Sequence, residues 1–143
     1  MKEIILKKIF MLMKKYSTRN PFELCDYLHI KVFFENLGSI NGFYQHAPKN
    51  KIIHINSNLD YSMQLITCAH ELGHALFHSK LNILFLEKKT FVVTNKFELE
   101  ANYFAASLLI DDINEKDYCC MTIEQIASSL NMPVELVRLK LPL

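Results

Sequence analysis

Tryptophan is absent from the 143 residues, and glycine and proline number only three and four. Disordered, collagen-like and low-complexity chains are far richer in glycine and proline, so those classes are excluded. Charge of one sign is missing too: 16 Lys and Arg against 15 Asp and Glu leave a net +1. That balance makes no broad field to attract nucleic acid, and no acidic or basic tail stands out. Apolar runs are short, and none reaches the roughly 18–20 residues of a membrane-spanning helix. Paired C-x-x-C spacing is also lacking. Cys25, Cys68, Cys119 and Cys120 read as free thiols in a reducing cytosol, so a cytoplasmic location is expected.

Half of the chain is apolar, enough to bury the core of one domain over residues 1–143. In MKEIILKKIFMLMKKYSTRN, Lys7, Lys8, Lys14 and Lys15 interrupt the apolar residues, and no small-x-small site follows. The segment reads as an amphipathic helix with Ile5, Leu6, Ile9, Leu12, Met13 and Tyr16 inward, not as a signal peptide. A helix lying on a membrane surface is the weaker reading.

A second short helix is expected after Asn20, which can cap it, with Pro21 at its first position and Glu23 three residues past the cap. IKVFFEN, NGFYQH and KIIHIN are β-branched and aromatic segments split by turn signals at Gly38-Ser39, Asn41-Gly42 and Pro48-Lys49-Asn50. Residues 30–56 therefore read as a small antiparallel three-stranded meander. Helical periodicity returns from about Asp60 to Ser79 and again from Lys96 to Ile110. Between them residues 80–95 are ambiguous, with Phe91-Val92-Val93-Thr94 a candidate short strand. Ile123, Ile126, Ala127 and Leu130 have helical spacing, Asn131 suits a left-handed cap, and Pro133 can open a last short helix. The fold class is thus α+β, a small sheet packed on helices.

The chemistry concentrates in HELGHALFH, residues 70–78. On a helix His70 and His74 project from one face over consecutive turns, so two imidazole nitrogens can share one Zn²⁺. Glu71, rotated roughly 100° from His70, lies beside such a metal without ligating it, where a general base must sit. Six histidines and ten glutamates would form H-E-x-x-H by chance in about 2% of shuffled chains. The motif therefore needs a third ligand to carry weight, since catalytic zinc sites normally have three protein ligands and an open position. FELEANYFAA, residues 97–106, offers Glu98 and Glu100, 24 and 26 residues past His74. They stand about 200° apart on a helix, so one of them can face the metal. Ala101, Ala105 and Ala106 would let that helix approach the first closely.

Together NPFELCDYLHIKV, KIIHINSNL, TCAHELGHALFH and FELEANYFAASLL make the chain resemble the ImmA/IrrE family of zinc-dependent metallopeptidases, which are gluzincins. The likeness spans residues 18–112. It implies a zincin-like fold, with the HExxH helix and a second helix supplying the glutamate. Residue by residue, the glutamate three before Ala101 is Glu98, which the resemblance makes the third ligand, with Glu100 its substitute. A proline often follows the paired leucines of the family; Ile110-Asp111 stands here instead. The resemblance further implies a bacterial, prophage or mobile-element regulatory protease whose protein substrate is a helix-turn-helix repressor. Zn²⁺ is the expected cofactor, and Mn²⁺ or Fe²⁺ suit the same ligands.

His78 extends the histidine stripe, but a fourth ligand would close the site, so it reads as supporting a ligand or as packing. Asn102 is a candidate to orient a ligand histidine. Tyr103 could stabilise an oxyanion, although core packing is its plainer role. Cys68 reads as core and His54 as surface. TIEQIASSLNMPVELVRLKL, within residues 121–141, is spaced like a helix-turn-helix but offers only Arg138 and Lys140 to DNA. It reads as a packing element, and neither nucleic acid nor membrane is expected as a partner. The rival from another class is a non-catalytic metal-containing regulator or protein-binding module. Glu71 argues against it, since a structural metal has no use for a base.

Overall fold

Local signals account for most of the helix ends in the computed structural model, which describes residues 1–79, 96–111 and 118–141. Six helices and three strands occur among them: α1 (Lys2–Tyr16), α2 (Pro21–Tyr27), β1 (Ile30–Glu35), β2 (Gly42–Ala47), β3 (Asn50–Asn56), α3 (Tyr61–Phe77), α4 (Lys96–Leu109), α5 (Ile123–Leu130) and α6 (Val134–Lys140). The architecture is α+β, as expected. Residues 91–94, the candidate extra strand, lie outside the described residues.

Asn20 caps α2 by accepting from the backbone N–H groups of Phe22 and Glu23, with Pro21 opening the helix. The anticipated reciprocal bond from Glu23 is replaced: the Asn20 N–H donates to Thr18 Oγ1 at 3.1 Å, and the Thr18 hydroxyl donates to Glu23. Asp60 caps α3 through the Met63 N–H. Thr122 and Gln125 close a capping box on α5, which Asn131 ends in the left-handed conformation at φ 56°. Pro133 stands one position earlier than anticipated, as the cap before α6. In α1, Ile5, Ile9 and Leu12 are buried, but Leu6 is 39% exposed and corrects the predicted inward face. It lies at the margin of the helical stripe.

The sheet departs from the expected antiparallel meander. Its order is β1-β3-β2: β3 pairs antiparallel with β2 but parallel with β1. Pro48-Lys49 does make the tight β2–β3 hairpin, from Ala47 to Asn50. Residues 36–41, however, step across the end of β3 instead of turning back beside β1. Asn56 holds this crossing by donating to the carbonyls of Gly38 and Ile40, both at 2.9 Å. Turn residues dictate that a chain reverses, not which strand it then lies against. Here all three strands must turn Ile30, Val32, Tyr44, Ile53 and Ile55 toward the helices, and the mixed order does so.

The sheet packs on α3. A Cβ on Gly42 would lie 2.6 Å from Thr67 Cγ2, so only glycine lets β2 come this close. Tyr44 donates to the Ser79 carbonyl at 3.1 Å, and Lys51 to the Ala75 carbonyl at 3.0 Å. On the far side of α3 lies α4, whose last carbonyls, Ser107 and Leu108, accept from Arg19 at 3.1 and 3.0 Å. One apolar cluster joins α1, α2, the sheet, α3 and α4. A second joins α5 and α6 to Ile66, Ala106 and Ile110, and Leu109 and Leu139 pack against both. The C-terminal helices are thus packed into the body of the protein.

Candidate metal centre

The contact between α3 and α4 sets the geometry of the site. At its middle Gly73 faces Ala101: a Cβ on Gly73 would lie 3.2 Å from Ala101 Cα and 3.2 Å from Phe104 Cδ1. Two helices touching through glycine and alanine bring their backbones close enough for short side chains to meet. His70 and His74, one turn apart on α3, then face Glu98 on the first turn of α4. His74 Nε2 is 2.8 Å from Glu98 Oε1, and His70 Nε2 is 3.3 Å from Glu98 Oε2. Glu71 places Oε2 3.9 Å from His70 Nε2. All four side chains are buried. Potential ligand atoms of His70, Glu71 and His74 lie within 4.8 Å of one another.

Both histidines present their Nε2 atoms because their Nδ1 atoms are engaged elsewhere. His70 Nδ1 is 2.6 Å from Asn102 Oδ1, which accepts its proton. His74 Nδ1 is 3.0 Å from His78 Nδ1, and His78 Nε2 donates to Glu100 Oε1 at 2.7 Å. Two imidazoles and a carboxylate are a donor set suited to Zn²⁺. Ligands at about 2.0–2.1 Å in a tetrahedron are roughly 3.3 Å apart, close to the spacings found here. The residues present therefore fit a divalent cation.

Electrostatics point the same way. Burial favours a neutral Glu98, but the neighbouring His70 and His74 reverse this and bring its pKa down to about 2. Burial, with the adjacent His70 and His78, lowers His74 to about 4 despite Glu98. Burial also disfavours a charged His70, yet Glu71, Glu98 and Asn102 outweigh it and raise its pKa. A carboxylate and a neutral imidazole are thus ready to bind, while His70 is the donor for which a proton competes.

The other residues singled out in the sequence divide cleanly. Glu100 points to His78 rather than to the donor cluster. Asn102 meets His70, as anticipated. Cys68 is core, 3.8 Å from Cys25 Sγ, and burial pushes its thiol pKa well up. Tyr103 packs in the main cluster, with Lys2 Nζ 5.1 Å from its ring centre. His54 is less exposed than expected. Its ring stacks on Phe43 at 4.3 Å, with Nε2 2.9 Å from Gln45 and Nδ1 bonded to Glu35. The His78–Glu100 pairing is what the sequence hides, although i, i+4 spacing from His74 marks His78.

A glutamate beside a pair of helical imidazoles and a distant carboxylate is the arrangement of a metallopeptidase. The family profile described as the IrrE N-terminal-like domain, peptidase family M78, matches residues 25–141, and the chain belongs to this ImmA/IrrE family. That match takes in α5 and α6. Two relatives carry the likeness along nearly the whole chain. Uncharacterized immunity region protein 2 of Bacillus phage phi105 is 42% identical over 132 residues, covering 90% of this chain and 84% of its own length. Metallopeptidase ImmA of Bacillus subtilis (strain 168) is 36% identical over 135 residues, covering 90% and 79%. Among the described residues no helix is long and apolar enough to cross a membrane.

Proposed function

We propose that the protein is a zinc-dependent endopeptidase of a single zincin-like domain, with His70, His74 and Glu98 as metal ligands and Glu71 as general base. The observation that supports it best is the convergence of both Nε2 atoms on one buried carboxylate at 2.8 and 3.3 Å. A divalent cation held by His70, His74 and Glu98 would supply Lewis acidity to the scissile carbonyl and to a water molecule near neutral pH. Glu71 accepts that water's proton and delivers it to the leaving amine. His70 and His74 hold their lone pairs in place through Asn102 and His78. The edge strand β2, which packs along α3, offers its backbone to an extended substrate as an added strand.

The substrate we propose is a helix-turn-helix repressor. In support, one relative's name places it in a phage immunity region and another's is metallopeptidase ImmA, which suits a narrow regulatory protease acting in the cytoplasm. The test incubates the metal-loaded protein with repressors encoded beside its gene, with and without chelator. Glu71→Gln is expected to keep about one metal per chain and lose roughly 10²–10⁴-fold in cleavage. Equal turnover in that variant removes Glu71 from the mechanism. Elemental analysis of protein purified from its host distinguishes zinc from manganese or iron.

A further inference from the structure

His78 and Glu100 lie outside the donor set yet are coupled to it. His78 is buried, and both its ring nitrogens are engaged, Nδ1 with His74 Nδ1 and Nε2 with Glu100. An ionised carboxylate only accepts, so the proton of the second bond belongs to His78 Nε2. Neutral imidazole has one N–H, which leaves a lone pair on His78 Nδ1. That lone pair must meet an N–H, so the proton between the rings belongs to His74 Nδ1. With a cation held between them, His74 Nε2 keeps its lone pair facing Glu98. Without one, the 2.8 Å contact between His74 Nε2 and Glu98 Oε1 calls for the proton on Nε2 instead, so the assignment is that of the loaded site.

We propose that Glu100, acting through His78, holds His74 in the tautomer and ring orientation that a cation ligand requires. The two are positioning residues. His70 receives the same service in one step from Asn102, whereas His74 receives it in two. The Phe97 ring, edge-on to His78 with centroids 4.9 Å apart, restrains the intermediate imidazole. Glu100 keeps 13% of its side chain exposed while His74 keeps none, so the relay anchors a fully buried ligand from near the surface. The inference rests on the reading of His74 as a ligand.

Histidine-labelled, zinc-loaded protein tests it by nitrogen NMR. A ¹⁵N–¹⁵N coupling across the hydrogen bond should join the two Nδ1 atoms, with the proton on His74. His78→Leu should abolish the coupling and weaken zinc binding about 10–100-fold in chelator competition. The Nδ1–H of His70, bonded to Asn102, should stay in place and report an intact fold. Glu100→Ala, the milder change, should move both readouts the same way. His78→Gln, whose amide oxygen can accept the His74 proton, should recover most of the lost affinity. A bridging proton on His78, or a His78→Gln variant as weak as His78→Leu, overturns the relay. A wild-type chain that takes up no zinc refutes the metal reading instead, whereas a chain that binds zinc without the coupling refutes the relay alone.

Discussion

Replacing Gly73 by alanine should separate assembly of the metal site from stability of the fold. The new Cβ would sit 3.2 Å from Ala101 Cα and Phe104 Cδ1 and 3.4 Å from the Ala101 oxygen. Carbon atoms in ordinary contact are about 3.5–4.0 Å apart, so α4 must retreat by roughly 0.3–0.8 Å. Glu98 is one turn before Ala101 on α4, and its carboxylate retreats with the helix. Metal–ligand distances tolerate about 0.2 Å, and a 1 Å misplacement at a reacting centre can cost about 100-fold. Zinc affinity should therefore fall about tenfold or more, and cleavage by about 10–100-fold. Stability should change far less. Alanine in a helix gains roughly 0.5–1 kcal/mol over glycine, offsetting part of an overpacking penalty of about 1–3 kcal/mol. Chelator competition measures the first effect, and thermal unfolding of the metal-free protein the second. A Gly73→Ala protein with wild-type zinc affinity and turnover would refute the idea that this contact sets the donor spacing.

Other consequences follow from the same geometry. Burial disfavours a charged His70, but Glu71, Glu98 and Asn102 outweigh it and raise its pKa, so a proton competes with the metal at this ligand and zinc affinity should weaken as pH falls. Chelator competition at several pH values reads the trend, and a pH-independent affinity contradicts the assignment. Glu98 has its pKa lowered from 4.5 to about 2, so its stabilisation of the metal-free chain is present above pH 4.5 and lost as pH falls toward 2. Urea unfolding at several pH values should show a shallower acid decline in Glu98→Gln. Glu98→Ala should abolish stoichiometric zinc, whereas Glu100→Ala only weakens it; elemental analysis showing the reverse would exchange their roles. Arg19→Ala removes two bonds to the final carbonyls of α4 and should destabilise by about 1.5–3 kcal/mol, read as a lower melting temperature.

How much could be read beforehand differs element by element. Asn20, Asn131 and the return of helical periodicity at Asp60 mark helix ends because capping is chemistry within a few residues, and the structure follows them closely. The sheet order was beyond reach, since Asn56 acts on Gly38 and Ile40 from 16–18 residues away. Leu6 shows a smaller limit of the same kind. Periodicity names a helical face, but the neighbouring helix decides how wide a strip of it is covered.

At the centre itself, helical spacing alone brings His70, Glu71 and His74 together, because a helix turns about 100° per residue wherever it lies. Choosing between Glu98 and Glu100 needs the depth and rotation of α4 against α3, which the Gly73–Ala101 contact fixes across 27 intervening positions. The same packing pairs His78 with Glu100, two side chains whose partnership no local pattern records. Covalent neighbours dictate what repeats along a helix; which face meets which is decided only when the two helices share a core.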